Sequence, residues 1–380
     1  MKKLMSLALV LVLMLSLSAA ALATEKPVIN LWSSGSQNVA DLFNALIAEY
    51  NALPESKTEV KLQFLLSGTG DESMRSRVTS AYLAGQKDSE FDLIEAGAAD
   101  FQTYIDDTKD PEMFLTPDFE QIPNYKLVTM KTAILQDKVI PYRGTTVVFA
   151  YDSARVPEDQ LPHTWDELTQ WIKDHPTRFA YNEPSTGGAG GAFVRTATYR
   201  FLDKAAWASN DEKWTAEWDK GFEWLAEIHP FLYKSGGSVV YPAKNQGTLD
   251  LLINQEVDII PAWADMALSN IARGTLPATT RLYQLDDVAL TGADVSFVIP
   301  SFGKAKEQTY DFINYVLSPA GQKIALENMK AVPVIDPNLI ESAEKDLVKD
   351  LKMENFAFMT IGNLSDVLNE RWNEEIMTLK

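Results

Sequence analysis

Val28-Ile-Asn-Leu-Trp32, then Ser33-Ser-Gly-Ser36, then Val39, Leu42, Phe43, Leu46, Ile47 and Tyr50 at helical spacing, form the passage on which the fold turns. The short apolar run predicts a strand, and the recurrence at three and four residues predicts a helix with one apolar stripe. The pattern then repeats. Val60-Lys-Leu-Gln-Phe-Leu-Leu66 predicts a second strand, ending in Ser67-Gly-Thr-Gly70 and followed by a helix through about Gly85. Phe91-Asp-Leu-Ile94 predicts a third strand, ending at Glu95-Ala-Gly97. Strand, helix, strand, helix, strand at this spacing implies parallel pairing with right-handed crossovers, and hence an α/β class. Ligands of open α/β sheets sit off the carboxyl ends of the strands, and all three ends here are small and polar.

The first residues read as an export signal: Lys2-Lys3, an apolar core from Leu4 to Leu17, and Ala21-Leu-Ala23 as a small-x-small cleavage site. Cleavage after Ala23 is expected, leaving residues 24–380 in a periplasmic or extracellular compartment. The sequence contains no cysteine, so disulfides are absent and no lipid anchor through cysteine is expected. A chain of 380 residues is long enough for two lobes, each with a core. With 34 basic and 53 acidic residues the net charge is −19, which repels nucleic acid and anionic lipid but does not set the sign of a ligand held in a cleft.

Further along, Lys138-Val-Ile-Pro-Tyr-Arg-Gly-Thr-Thr-Val-Val-Phe-Ala-Tyr151 is longer than one ordinary strand and suits a crossing between lobes. Thr164-Trp-Asp-Glu167 is a capping box opening a helix. Arg178 to Tyr181 predicts a short strand stopped by Pro184, with a loop of four glycines from Ser185 to Gly191 and a helix over Phe193 to Tyr199. Such a turn presents backbone N–H groups where the helix dipole favours negative charge, although a merely permissive turn is the alternative. It is neither a dinucleotide fingerprint nor a P-loop, since the third glycine and the Gly-Lys-Ser/Thr are missing. The tryptophans at 214, 218 and 224 read as packing; Thr248 to Asn254 predicts a helix, and Val257 to Pro261 a strand. Thr291 to Pro300 suits a second crossing.

Four stretches carry a resemblance. They are Phe149-Ala-Tyr-Asp152 with Pro162-His-Thr-Trp-Asp-Glu-Leu168; the Pro184 to Gly191 loop; Leu251 to Ile259 with Trp263-Ala-Asp-Met266; and Tyr310 to Ala325 leading to Val332-Pro333. In the last, Ser318 suits the N-cap and Pro319 the first position of a second helix. Through these the chain resembles the extracellular solute-binding proteins of ABC importers, in the branch of iron, thiamine and polyamine binders. The resemblance implies a two-lobed periplasmic-binding-protein-like (type II) fold with an interlobe cleft, hinge crossings, and delivery of a trapped solute to a membrane permease. It implies residues 24–142 with 296–332 as one lobe, 143–295 as the other, and 333–380 as a helical segment on the second. A monomer without cofactor or enzymatic activity is expected. The chain departs from the iron binders in having no Tyr-Tyr pair, and His163, His175 and His229 are far apart, so no metal site is expected.

Each candidate ligand residue has a structural alternative. Trp32 suits stacking or a buried strand end, and Ser33, Ser34 and Ser36 suit an anionic group or helix capping. Thr69 and Gly70 occupy the equivalent place after the second strand, and Glu95 suits an ammonium group or solvent. Tyr142 and Arg143 lie on the crossing strand, where Arg143 suits a bidentate contact to an anion or an ion pair between lobes. Thr186, Gly187, Gly188 and Gly190 offer backbone donors. Trp263 and Asp265 suit a stacking wall and an acceptor, or core and surface. An exported carbohydrate-active hydrolase and a ligand-sensing binding protein are the competing classes; no Gly-x-Ser-x-Gly or His-Glu-x-x-His motif is present.

Overall fold

The computed structural model describes residues 26–66, 73–130, 135, 137–345 and 358–379. The expected export signal over residues 1–23, and with it the cleavage after Ala23, lies outside the described residues, as do Thr69 and Gly70. Among the described residues no helix is long and apolar enough to cross a membrane.

The N-terminal pattern folds as its periodicities dictate. β1 (Val28–Gly35) leads into α1 (Gln37–Ala52), β2 (Glu59–Leu66), α2 (Met74–Leu83), β3 (Leu93–Gly97) and α3 (Ala98–Thr108). β1 pairs in parallel with β2 on one side and with β3 on the other. The stripe of α1 is buried, with Leu42, Phe43 and Leu46 wholly removed from solvent. Each such side chain contributes about 1.5–3 kcal/mol of apolar burial.

β4 (Ile140–Asp152) is the long crossing strand, and all of its residues are buried. Its first half pairs antiparallel with β9 (Gly292–Val298), which in turn pairs antiparallel with β3. Its second half pairs with β7 (Ile259–Trp263) and β8 (Thr280–Tyr283). One sheet of order β2-β1-β3-β9-β4-β7, with β8 also on β4, therefore runs through both halves of the molecule. Between β4 and β7 come α4 (Trp165–Asp174), α5 (Gly188–Tyr199), α6 (Asp219–Ile228), the hairpin β5 (Lys234–Ser235) and β6 (Ser238–Val239), and α7 (Lys244–Ile253). α8 (Ala264–Ala272) follows β7, and α9 (Thr309–Val316), α10 (Pro319–Met329) and α11 (Leu364–Glu375) come after it among the described residues.

Two sets of hydrophobic clusters separate around this sheet. One set gathers β1 to α3, Ile140 and Tyr142 of β4 together with Val148, Ala264 at the start of α8, and the residues from Val295 to Ile340. The other gathers the second half of β4, α4 to β8, and Met359 to Ile376. We refer to these as the first and second lobes. The chain beyond residue 333 divides between them: Val334, Ile335 and Ile340 pack in the first, and Leu364, Leu368 and Trp372 in the second.

Local chemistry sets several boundaries. The Thr164 side chain accepts from the Glu167 N–H at 3.2 Å, and Glu167 reaches back to the His163 N–H at 2.7 Å. Ser318 caps α10 through the Gly321 N–H, with Pro319 in the first helical position. The strand expected from Arg178 to Tyr181 is reduced to a single bridge between Phe179 and Ile259. The glycine loop is shorter than expected because α5 starts at Gly188, so three of its glycines lie in the first turn. Gly190 permits this: a Cβ there would fall 1.9 Å from the Asn182 carbonyl oxygen.

Candidate functional site

Three chain turns deliver helix N-termini to one place. β3 ends at Gly97 and becomes α3, Gly187 opens α5, and β7 ends at Trp263 and becomes α8. Gly97, Gly188 and Trp263 line a cavity of about 210 Å³ between the lobes, together with Asp100, Ala192, Arg195, the start of β9 (Thr291, Gly292 and Asp294) and Phe358 to Thr360. The last three residues are held in place by Met359 N–H donating to Thr291 Oγ1 at 3.2 Å and Thr360 N–H donating to the Trp207 carbonyl at 2.7 Å.

Three charged side chains line this space: Asp100 from the first lobe, Arg195 from the second, and Asp294 on β9. Asp100 is in the first turn of α3, exposed at its surface yet crowded by the protein around it. That crowding raises its carboxyl, against the pull of Arg195 and of the Gly97 N–H. Arg195 lies on α5, where Nη1 donates to the Met359 carbonyl at 3.2 Å and the buried Nε has no partner among the described residues. Burial lowers its pKa, and Asp100 opposes that shift.

At the N-terminus of α5 the first-turn donors are partly taken. Asn245 Oδ1 accepts from Ala189 N–H at 3.0 Å, and Asn182 Oδ1 from Gly190 N–H at 2.8 Å. The indole of Trp263 lies so close to Gly188 that a Cβ would fall 2.9 Å from its Cζ2. Glycine at 188 thus lets an aromatic wall lie against a helix start.

Next to the cavity, and separate from it, is a buried polar network. Ser33 Oγ donates to Glu95 Oε2 at 2.7 Å, and the Tyr142 hydroxyl donates to Oε1 at 2.9 Å. Arg143 Nη2 reaches the same Oε1 at 3.4 Å, while its Nε donates to the Tyr142 oxygen at 2.9 Å. Consecutive strand residues ordinarily point to opposite faces, but the pairing with β9 shifts register between Pro141 and Arg143, which lets both side chains reach one carboxylate. Burial raises the Glu95 carboxyl, with Arg143, Ser33 and Tyr142 pulling the other way. Burial alone would lower the Arg143 pKa, but Tyr142, Glu95 and Asp265 outweigh it and hold it up. Asp265 accepts from Thr145 Oγ1 at 3.0 Å and from Asn38 Nδ2 at 3.2 Å, the latter joining α8 to α1.

The sequence-derived candidates therefore divide. Gly188 and Trp263 line the cavity. Arg143, read as suiting either an anion or an ion pair, is paired with Glu95 and Tyr142, because the register shift turns it into the protein. Ser33, Glu95, Tyr142 and Asp265 are buried in the polar contacts just described. Trp32 is buried against Phe91 and donates to the Glu90 carbonyl at 3.0 Å. Ser34 is exposed, and Ser36 stands at the N-cap of α1 without a side-chain capping bond. Thr186 bonds to the Glu183 carbonyl and the Lys244 N–H, Gly187 is the N-cap of α5, and Gly190 packs on Asn182. Asp100, Arg195 and Asp294 line the cavity without having been singled out. Asp100 stands three residues beyond Gly97, the strand end that was singled out, so that signal was present.

Polar contacts also join the lobe rims beside the cavity. Asn210 Nδ2 donates to both carboxylate oxygens of Asp106 at 3.0 Å, Arg75 Nη2 reaches Asp366 at 3.0 Å, and Asn363 Nδ2 reaches Asp107 at 3.3 Å. Among the described residues no group of three or more His, Cys, Asp and Glu could hold a metal ion.

Comparison with known proteins gives a family and a fold. The family model described as bacterial extracellular solute-binding protein matches residues 45–353. An ABC transporter structure from Clostridium perfringens superposes with a TM-score of 0.64 at 18% identity, covering 91% of this chain and 99% of that one. An ABC transporter substrate-binding protein from Bradyrhizobium japonicum gives 0.66 at 16% identity, covering 92% and 100%. A spermidine/putrescine ABC transporter substrate-binding protein from Streptococcus pneumoniae gives 0.63 at 14% identity, covering 91% and 99%. These likenesses show a two-lobed periplasmic-binding-protein fold. No curated protein sequence matches the chain.

Proposed function

The chain belongs to the bacterial extracellular solute-binding proteins, and on that premise we propose that it captures one small polar solute in the cavity between its lobes and delivers it to the transmembrane permease of an ABC importer. The observation that carries this reading is the cavity itself, lined from both lobes and surrounded by the starts of α3, α5 and α8. The solute carries an anionic group, received by Arg195 and the start of α5. Trp263 provides a wall for its less polar part. Binding of this kind needs no covalent chemistry. A micromolar solute requires about 8 kcal/mol, within reach of a few charge-assisted hydrogen bonds of about 1.5–3 kcal/mol each together with one aromatic contact.

We take the protein to act as an exported monomer freed of residues 1–23, without a lipid anchor. We place the hinge where β4 leaves β9 for β7, at Thr146 and Val147, near the bounds 142/143 and 295/296 read from the sequence. The test is calorimetry on protein unfolded and refolded to remove carried-over solute, together with small-angle scattering. Saturable binding accompanied by a fall in the radius of gyration supports the reading. A protein that binds none of a broad panel of amino acids, organic anions, polyamines, sugars and inorganic phosphate, and keeps one shape throughout, ends it.

A further inference from the structure

We propose that the solute is a short zwitterion of the amino-acid type, with its anionic group on Arg195 and the start of α5, and its ammonium on Asp100. This rests on the reading of the interlobe cavity as the binding site, and narrows it. Asp100 of the first lobe and Arg195 of the second both line the cavity, yet no ion pair within 4.0 Å joins them. Opposite charges that share one cavity without pairing give it a direction. Arg195 is tethered by one hydrogen bond to Met359, and its buried Nε keeps a donor without a partner among the described residues. Asp100 also lines the cavity and is exposed.

The three simple charge classes fare differently in such a slot. A lone anion satisfies Arg195 but brings negative charge up to Asp100, which lines the same cavity. A lone amine satisfies Asp100 but leaves Arg195 sealed in by closure with an unmatched charge. Desolvating a charge without a partner is costly, so each of these solutes forfeits part of what closure gains. A zwitterion matches both ends and adds no net charge. The size agrees: about 210 Å³ holds a short molecule and excludes an oligomer. Because the two charges belong to opposite lobes, a zwitterion also bridges them, so its binding draws the lobes together.

The experiment is calorimetry on ligand-stripped protein with glycine, L-alanine, L-serine, γ-aminobutyrate and ε-aminocaproate, against caproate and hexylamine, and with putrescine, inorganic phosphate and maltose as outgroups. The expected result is that at least one zwitterion binds and that caproate and hexylamine are each weaker by roughly tenfold or more. Arg195→Gln is expected to weaken the zwitterion while sparing hexylamine, and Asp100→Asn to weaken it while sparing caproate. Equal affinity for the zwitterion and either truncated solute overturns the inference, as does binding of an outgroup solute alone; in both cases the cavity remains a binding site. Silence from every compound counts against the binding-site reading itself. Should either variant fail to fold, the wild-type panel decides.

Discussion

Arg143 and Glu95, brought together from β4 and β3, meet inside the protein with Nη2 3.4 Å from Oε1, and both side chains are almost wholly buried. The Tyr142 hydroxyl donates to the same carboxylate oxygen. Removing one member leaves the other charged and desolvated, which costs about 3–5 kcal/mol. Arg143→Ala is therefore expected to lower unfolding stability by that amount. Denaturant titration checks this, and an unchanged midpoint would show that the pair contributes nothing.

Gly190 is a second structural point. With the Asn182 carbonyl oxygen 1.9 Å from where a Cβ would stand, Gly190→Ala forces α5 away from its support. Overpacking of this kind costs about 1–3 kcal/mol, and the displacement also moves Arg195. Thermal unfolding and solute calorimetry on the same variant should both show a loss.

His229 gives the protein a pH response on the acid side. Burial, and after it Lys234, hold its pKa below the ordinary 6.5, while Nδ1 lies 2.8 Å from the Tyr241 hydroxyl. The unfolded chain then binds a proton that the folded chain does not, in the window from 6.5 down to the depressed value. Stability accordingly rises with pH across that window and is lost as pH falls through it. Comparing wild type with His229→Gln between about pH 5 and pH 7 should show a shallower slope in the variant.

If the lobes hinge as proposed, the rim contacts bias them toward closure. Exposed pairs such as Arg75 with Asp366 contribute about 0–1 kcal/mol each, so their loss shifts a population without unfolding anything. Asn210→Ala combined with Asp366→Ala is expected to raise the solute-free radius of gyration and to weaken solute binding by roughly two- to fivefold. An unaltered scattering curve would mean that these contacts carry no closing energy.

Much of the fold was legible because it rests on local periodicity. The α1 stripe, the β1, β2 and β3 runs, and the Ser318-Pro319 break each announce themselves within a dozen residues. The site was less so. The register shift at Tyr142 turns Arg143 inward, and nothing in Pro141-Tyr-Arg-Gly144 marks it, since a bulge depends on the partner strand. Asp100 is one of 53 acidic residues, and its standing follows from the strand end before it. Arg195 becomes prominent only when Phe358 to Thr360 return across the cavity, a contact between residues more than 160 positions apart.

β4 exchanges β9 for β7 and β8 at Thr146 and Val147. A rotation concentrated at that peptide shears no rung of either ladder. An opening placed there would be a matter of torsion and not of ruptured backbone pairing, with Val148 and Ala264, which pack in the first lobe's cluster, sliding against it. If the protein carries a solute as proposed, such a hinge would let it load and discharge repeatedly with no partial unfolding in its cycle.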